Sequence, residues 1–494
     1  MAPIAPDSDA VAEPFAGPSV QRADEPSGEP TVVDEHNTAF ARLMQRSVWP
    51  RLTNPNWIST AAGVVASLGL LFFVVRTLGA AWPGKFKIFF PDSFSFLNAA
   101  RLTPFSPAFY AAERPIAFPM LLFMLGRSTV VAVVVQTFLY GFAYLFAVRV
   151  ACRVLRQSEA RLLAGVMIIM IGLEPRFALW NTHILSESFG MTLAVVSVSM
   201  WWRFSAEPSV VRLRWAGVAT IAWLTARDSN VPPWLVVGVP ALLLASLLWK
   251  SAEPDLRKAL RHWGVITLVV CLGVGLSQSI NGRNRYATMN NVGLRVLPDK
   301  ELTHWFVGQG MPESDALVER TGFSSFDNNW KMLNSADLAS FRAWASGSGQ
   351  RQMLESYVRF APHWVSNLYD DLPTLLSSDQ SAYDAFQVAK RLPAAIPGQV
   401  GGPTSRPGLL IWSVLACAGL ALAARRRGLQ SIVLGLLLAS TFVDLYMAYV
   451  GDSVEVQRHM VGPLSRMALI MAICVSLGVD TTLDDARRRK VVTE

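Results

Sequence analysis

Long apolar segments separated by short polar connections dominate the chain from residue 57 onward. A helix needs about 20 residues to cross the hydrocarbon core of a bilayer. The candidate spans lie at 57–76, 129–148, 162–174, 184–202, 215–226, 231–249, 263–280, 408–424, 429–450 and 460–478. The short run at 162–174 is predicted to extend through Glu174-Pro175, and 215–226 is too short to cross unless it ends at a water-filled cavity. The pattern predicts an all-α polytopic membrane protein with about ten transmembrane helices.

Composition agrees with this class of protein. Of the 494 residues, 52% are hydrophobic and 16% are charged, whereas charged residues make up about a quarter of a soluble domain. The net charge of +8 comes from short basic clusters between apolar segments, so membrane topology explains it and no nucleic-acid partner is predicted. The four cysteines lie in or beside apolar segments without metal-ligand spacing, and therefore indicate neither a disulfide framework nor a zinc site.

Arginine and lysine are concentrated in alternate connections between the spans. These connections hold Arg42, Arg46 and Arg51; Arg149, Arg153, Arg156 and Arg161; Arg203, Arg212 and Arg214; Lys250, Arg257, Lys258 and Arg261; Arg425 to Arg427; and Arg487 to Lys490. The opposite short connections hold only Arg176, Arg227 and Arg458. Because basic connections remain in the cytoplasm, we predict a multi-pass protein of the cell (inner or plasma) membrane with both termini cytoplasmic.

Five regions are predicted along the chain. They are a disordered cytoplasmic tail at 1–45, an N-terminal transmembrane module at 46–280 with a first outer loop at 77–128, a mostly helical extracytoplasmic domain at 281–407, transmembrane helices at 408–480, and a cytoplasmic tail at 481–494. The first tail lacks apolar periodicity and cannot bury enough surface to offset the entropy of ordering. The aromatic residues of the outer domain are expected to fill its core or to lie at the membrane interface; they are Trp330, Trp344, Trp364 and Tyr369.

The polar stretch 88–120 follows the first apolar segment and is the strongest candidate for chemistry. Asp92 stands behind a Phe-Phe-Pro sequence and before SFSFLNAAR, whose spacing predicts a short amphipathic helix with Phe94, Leu97 and Arg101 near one face. A carboxylate would then lie at a helix start at the membrane surface. It either serves as a plain N-cap, which needs no further role, or carries a function.

Other ionisable residues are predicted to gather at the same outer end of the bundle. They are Glu113, Arg114, Arg176, His183, Glu187, Arg227, Asp228, Asp444, Asp452, Glu455, Arg458, His459 and Arg466. Ionisable groups inside a bundle are costly and point to function. Structural explanations stay open for each: Arg458 and His459 can snorkel to the interface, Asp444 can pair with Arg466, and Glu187 can be a neutral hydrogen-bonded carboxyl.

A carboxylate among arginines beside a bilayer suits one type of reaction. Aspartate can remove a proton from an acceptor hydroxyl, and the planar guanidinium of arginine binds phosphate bidentately. Fixed positive charge lowers a barrier where negative charge develops on a leaving phosphate. A sugar linked to a lipid phosphate would fit these requirements.

Four short motifs resemble those of the GT-C superfamily of membrane glycosyltransferases. These are PDSFSFLNAARL with Asp92, ERPIAFPMLLFML, THILSESFGMTL with Glu187, and the pair WLTARDSN with Arg227 and RHMVGPL. The resemblance implies a GT-C-like fold, a polyprenyl-phosphate sugar donor used on the outer face, inversion at the sugar, and Asp92 as catalytic base. Family members often carry a second acid after the first, whereas Ser93 follows Asp92 here.

On this hypothesis the chain is a hexosyl- or pentosyltransferase with a cell-envelope glycan, glycolipid or protein as acceptor. Arg227, Arg458, His459 and Arg114 are the candidate ligands of the donor phosphate. The candidate supporting or acceptor-binding residues are Glu113, His183, Glu187 and Asp228. No cofactor is assigned, but a divalent metal remains an open alternative; its nearest oxygen and nitrogen ligands would be His183, Glu187 and Asp92.

Two other classes of membrane protein remain open. A secondary transporter would also hold charges inside its bundle, but it predicts repeated halves with paired interrupted segments, and the sequence has no internal repeat. The chain could instead be a lipid-binding membrane protein with an outward-facing polar cavity. In that class Asp92 would have no role beyond capping a helix.

Overall fold

A computed structural model describes residue 69 and residues 90–377 and 402–493. The described chain is mostly helical and contains no β-strand, which confirms the all-α prediction. The predicted tail at 1–45 and, apart from the helical Gly69, the first predicted span at 57–76 lie outside the described residues.

Every predicted apolar segment of the described chain falls on a helix or a closely broken pair of helices. The bundle consists of Thr129–Val154, Ser158–Leu173, Pro175–Ala178, Ser186–Ala206, Val210–Leu224, Val231–Pro233, Val239–Leu248, Pro254–Ile280, Arg406–Ala424, Gly428–Gly451 and Val456–Thr493. A π-helical turn, Trp234–Gly238, links two of these pieces. The outer loop supplies Pro91–Ala99, Pro107–Tyr110 and Ala117–Met124.

Six of the described helices are long and apolar enough to cross a membrane, and a seventh is added if the pair Ser158–Leu173 and Pro175–Thr182, bent by 53°, is one broken span. The count of ten is therefore not confirmed. Val210–Leu224 has 15 residues, fewer than the about 20 that a span requires. Ser186–Ala206 has 21 residues but carries Glu187 and several serines and threonines along its length.

The last helix forms the centre of the bundle. Val456–Thr493 packs against Arg406–Ala424, Gly428–Gly451, Ser158–Leu173 and Ser186–Ala206. Its most apolar stretch is 89% buried, compared with 17% for Pro254–Ile280. A residue near either end of this central helix can therefore contact several other segments.

One end of the central helix is fixed by a buried carboxylate. Asp480 is fully buried and forms an ion pair with Arg427. Its Oδ1 atom also accepts hydrogen bonds from the backbone N–H groups of Arg156 and Gln157, at 2.9 and 2.6 Å. Three segments of the chain thus meet at this carboxylate, on the end of the bundle that the sequence predicts to be cytoplasmic.

The segment that follows Ile280 folds into short helices. Their bounds are Asn284–Asn291, a π-helical turn Val292–Val296, Lys300–Gly308, Asp315–Val318, Asp327–Asn334, Ala339–Ser346, Ser348–Arg359 and Ala361–Leu376. Trp344 and Trp364 are buried in its core. Trp330 and Tyr369 are 53% and 55% exposed, so the predicted aromatic residues divide between core and surface.

Candidate functional site

Asp92 lies in the first turn of the helix Pro91–Ala99. The helix start is capped by Ser93, whose Oγ accepts a hydrogen bond from the backbone N–H of Phe90 at 3.0 Å. Asp92 is therefore not the N-cap. Its carboxylate is 34% exposed and is available for other partners.

Arg114, from the same outer loop, and Arg458, from the last helix, bind the Asp92 carboxylate. Arg114 Nη2 lies 2.5 Å from Oδ1, and Arg458 Nη1 lies 2.8 Å from Oδ2. Arg114 is oriented by its Nε, which donates to Ser95 Oγ, and by the Phe96 ring, whose centre lies 4.7 Å from Cζ. Burial alone would raise the pKa of Asp92, but the two guanidiniums outweigh it and hold this pKa well below its usual range. The carboxylate is consequently ionised at neutral pH.

Arg458 joins this carboxylate to a second, fully buried one. Its Nε lies 2.5 Å from Glu187 Oε1, and its Nη1 lies 2.8 Å from Glu455 Oε2. Since Arg458 is only 9% exposed and is held by three carboxylates, it does not snorkel to the interface. Glu187 is an ion-paired carboxylate in this arrangement, unlike the neutral hydrogen-bonded group considered above.

Arg227 approaches Glu187 from another side. Its Nη2 lies 3.5 Å from Glu187 Oε1 and 3.5 Å from Nδ1 of His459. A Cβ at Gly190 would lie 3.0 Å from Arg227 Cδ, so the absence of a side chain there leaves room for the arginine. We call Asp92, Arg114, Glu187, Arg227, Arg458 and His459 together the site cluster.

Asp228 pairs outside the site cluster. Its Oδ2 lies 2.7 Å from Arg283 Nη1, and the same nitrogen lies 3.5 Å from the carbonyl oxygen of Glu113. The Glu113 side chain is exposed, and within the described chain its carboxylate makes no ion pair. Sequence reasoning missed Arg283, although it is the first charged residue after the apolar segment 263–280 and could have been recognised by that position.

His183 is buried behind the Asp92 helix. Its Nδ1 lies 2.8 Å from Thr182 Oγ1, and its ring stacks on Phe90 with centres 4.9 Å apart. Across the described residues, no group of three or more His, Cys, Asp and Glu side chains is arranged to hold a metal ion. Of the three residues considered as metal ligands, Asp92 and Glu187 instead form ion pairs with Arg458.

A second buried ion pair lies beside the site cluster. Arg466 Nη2 is 3.0 Å from Asp444 Oδ2, which confirms the pairing expected between these residues. A small cavity is lined by both residues and by Glu187 and Arg227. Glu187 Oε2 and Asp444 Oδ1 are buried without a protein hydrogen-bond partner in the described chain. These two oxygens belong to residues that line the cavity, which has room for about one water molecule.

Comparison of the chain with protein family models and with curated proteins finds no match. Chemically, the site cluster combines a partly exposed, ionised carboxylate with three arginines drawn from separate segments. It can bind an anion through the guanidiniums, and it can accept a proton at Asp92 once an arginine has moved to another partner.

Proposed function

We propose that the protein is a membrane glycosyltransferase that transfers a sugar from a polyprenyl-phosphate donor to an acceptor hydroxyl, with Asp92 as general base. The observation that carries the proposal is the partly exposed Asp92 carboxylate held by Arg114 and Arg458. A base for the acceptor and cations for the leaving phosphate are thus within one cluster. The resemblance to GT-C enzymes supports the same reaction.

The proposed reaction is a single inverting displacement. Asp92 takes the proton of the acceptor hydroxyl while the hydroxyl oxygen forms a bond to the anomeric carbon of the sugar. The bond from that carbon to the phosphate oxygen breaks, and the electron pair leaves with the polyprenyl phosphate. Arg458 and Arg227 bind the phosphate and stabilise its developing negative charge.

Anion binding by Arg458 would also increase the basicity of Asp92. In the free protein the arginines hold the carboxylate ionised but make it a weak base, because its pKa lies well below the usual range. When the donor phosphate becomes the partner of Arg458 Nη1, Asp92 loses one of its two cations and its pKa rises. Proton abstraction is thereby favoured only after the donor has bound.

Transfer assays with an isosteric variant test the proposal. Full-length protein in lipid nanodiscs is supplied with radiolabelled polyprenyl-phosphate mannose, glucose or arabinose and with an envelope extract as acceptor. Asp92→Asn keeps the side-chain shape, and we expect it to bind donor and to lose roughly 10²–10⁴-fold in turnover, the usual contribution of a general base. Activity within a few-fold of the wild type would end the catalytic role of Asp92.

Asp255 provides the matched control. It follows a proline at the start of the helix Pro254–Ile280, as Asp92 follows Pro91, but its side chain is exposed. Asp255→Asn should therefore retain full turnover. Saturable flux of the donor into sealed liposomes, without transfer to any acceptor, would instead favour a transporter.

A further inference from the structure

Three aromatic side chains form a cluster on the segment that follows Ile280. The rings of Tyr286 and Phe326 stack with centres 6.0 Å apart and planes inclined by 28°. The Trp330 ring meets Phe326 edge-on, with centres 5.4 Å apart. Phe326 and Trp330 are 40% and 53% exposed, so the cluster presents aromatic surface to its surroundings. We call these three residues the aromatic platform.

The backbone beneath Trp330 is strained. Asn328, Asn329 and Trp330 have φ values of 52°, 58° and 61° and form a short left-handed turn inside Asp327–Asn334. Asparagine tolerates this region, but tryptophan rarely adopts it. Such conformations persist where the surrounding structure fixes them, and they concentrate at functional sites. The turn presents Trp330 beside Phe326 and leaves both asparagine side chains exposed.

Hydrogen bonds fix the residue before Phe326 to the helix Asn284–Asn291. The N–H and Oγ of Ser325 donate to Asn290 Oδ1, at 2.9 and 2.7 Å. Asn290 Nδ2 in turn donates to Asp452 Oδ1 at 3.0 Å. Asp452 is three residues before Glu455, which is paired with Arg458. Polar contacts thus link Ser325, next to Phe326, to Asp452, on the segment that leads into the last helix.

Tyr286 lies on the same helix, near an ion pair that adjoins the site cluster in the chain. It lies one helical turn after Arg283, at the start of the helix Asn284–Asn291. Arg283 pairs with Asp228, the residue next to Arg227. Both routes pass through the helix Asn284–Asn291, which carries Tyr286 and Asn290 and so links the platform to residues next to the site cluster in the chain.

We infer that the aromatic platform, with the amides of Asn328 and Asn329, binds the sugar rings of a glycan acceptor. This inference rests on the proposed function. Ligand sites combine aromatic surface with a few hydrogen-bonding groups that fix orientation, and primary amides both donate and accept hydrogen bonds, as sugar hydroxyls require. The exposed neighbours Asp327 and Lys331 are charged, which favours an aqueous ligand over lipid.

Binding of defined oligosaccharides tests the inference separately from catalysis. Linear hexasaccharides of mannose, glucose and arabinose are titrated against the full-length protein in nanodiscs, with saturation-transfer NMR as readout. We expect at least one to bind, and Trp330→Ala to raise its Kd about tenfold or more, as for an aromatic anchor. Tyr369, also exposed on the same segment, is the matched control, and Tyr369→Ala should change Kd by less than about threefold.

The outcomes separate the platform from the reaction. Suppose that transfer depends on Asp92 but the protein binds none of the hexasaccharides, or that Trp330→Ala binds them as well as the wild type does. Either result would overturn the inferred glycan site and leave the proposed reaction standing. If hexasaccharide binding depends on Trp330 but transfer is unchanged in Asp92→Asn, the glycan site is upheld and the role of Asp92 as general base is refuted.

A spin label distinguishes a glycan site from a membrane contact. Asn329→Cys is labelled in a Cys417→Ser background, since Cys417 is the exposed native cysteine. If the turn binds a glycan, the label at residue 329 should lie in water. Collisions between this label and a water-soluble nickel complex are therefore expected in nanodiscs of phosphatidylcholine and phosphatidylglycerol. Protection from nickel together with accessibility to oxygen would place the turn in lipid and overturn the inference.

Discussion

Asp92 and Arg458 are 366 positions apart in the chain, yet Oδ2 of the carboxylate lies 2.8 Å from Nη1 of the guanidinium. Arg458 also binds Glu187 and Glu455. One cation shared among three carboxylates can exchange a partner for a bound phosphate without being left unpaired. This arrangement relates the predicted phosphate site to the predicted base.

The arginines of the site cluster should determine donor affinity. Arg458→Ala or Arg227→Ala removes a charged partner from the phosphate, which typically costs about 2–5 kcal/mol, or about 30-fold or more in Kd. Equilibrium binding of a labelled polyprenyl-phosphate sugar to protein in nanodiscs measures the effect. Arg458→Lys keeps the charge but loses the planar fork, so an intermediate Kd is expected.

Arg212 serves as the control for these variants. It pairs with Glu207 between two helices, outside the site cluster, and that pair is partly exposed. Arg212→Ala should bind donor as the wild type does. Unchanged donor affinity in both Arg227→Ala and Arg458→Ala would mean that the donor phosphate binds at another part of the protein.

The ion pairs of Asp92 predict a particular pH dependence. Because folding lowers the pKa of Asp92, its stabilising contribution is fully present above the unfolded value of about 3.9. This contribution is lost as the pH falls from that value through the lower pKa of the folded protein. The difference in Tm between wild type and Asp92→Asn should therefore be constant from pH 7 to about pH 5 and should shrink below about pH 4.

Asp255→Asn again provides the comparison, since Asp255 is exposed and its replacement should leave the pH profile of Tm unchanged. A Tm difference that already shrinks near pH 6 would contradict this prediction, because the two facing guanidiniums should keep the Asp92 carboxyl ionised at that pH.

Much of the helical framework could be predicted from the sequence. Apolar runs identify membrane helices because unpaired backbone groups are so costly in lipid, and 429–450 indeed coincides with Gly428–Gly451. The start of a short helix near Asp92 was also predictable from local spacing. The number of complete spans was less predictable, since Val210–Leu224 shows that an apolar run can form a helix shorter than a bilayer.

The pairing within the site depends on tertiary packing and could not be read from local pattern. Asp92 looked like an N-cap because Asp favours helix starts, but Ser93 performs the capping. That Arg114 from the outer loop and Arg458 from the last helix bind the same carboxylate follows from how the loop packs on the bundle. Arg283 was overlooked because a single arginine after a span is equally typical of simple interfacial anchoring.

The orientation of the protein in its membrane is predicted from its basic connections and can be measured. Ser346 and Ser251 are both exposed and lie on either side of the helix Pro254–Ile280. In a Cys417→Ser background, Ser346→Cys should react with an impermeant maleimide in intact cells. Ser251→Cys should react only after permeabilisation. The reverse labelling pattern would put the site cluster on the cytoplasmic face and would exclude donor use on the outer face.

Variants of the Asp444–Arg466 pair can test whether this buried charge has a structural or a functional role in the bundle. Each partner is nearly inaccessible, and the Arg466 guanidinium also lies 4.6 Å from the centre of the Trp223 ring. Removing one partner leaves the other charge buried, so Asp444→Leu and Arg466→Met should each lower the free energy of unfolding by about 3–5 kcal/mol.

The double variant Asp444→Leu/Arg466→Met removes both charges together, and replacing a buried ion pair with apolar residues is often neutral or stabilising. Its stability should therefore return to near that of the wild type, with a coupling energy that a double-mutant cycle measures by reversible unfolding in detergent. Both residues line the cavity that also contacts Glu187 and Arg227. A stable double variant with normal transfer would make the pair purely structural. A stable double variant that binds donor but transfers slowly would mean that the cavity orients Glu187 and Arg227 for the reaction. We expect this second result because Glu187 Oε2 and Asp444 Oδ1 are buried without a protein hydrogen-bond partner in the described chain.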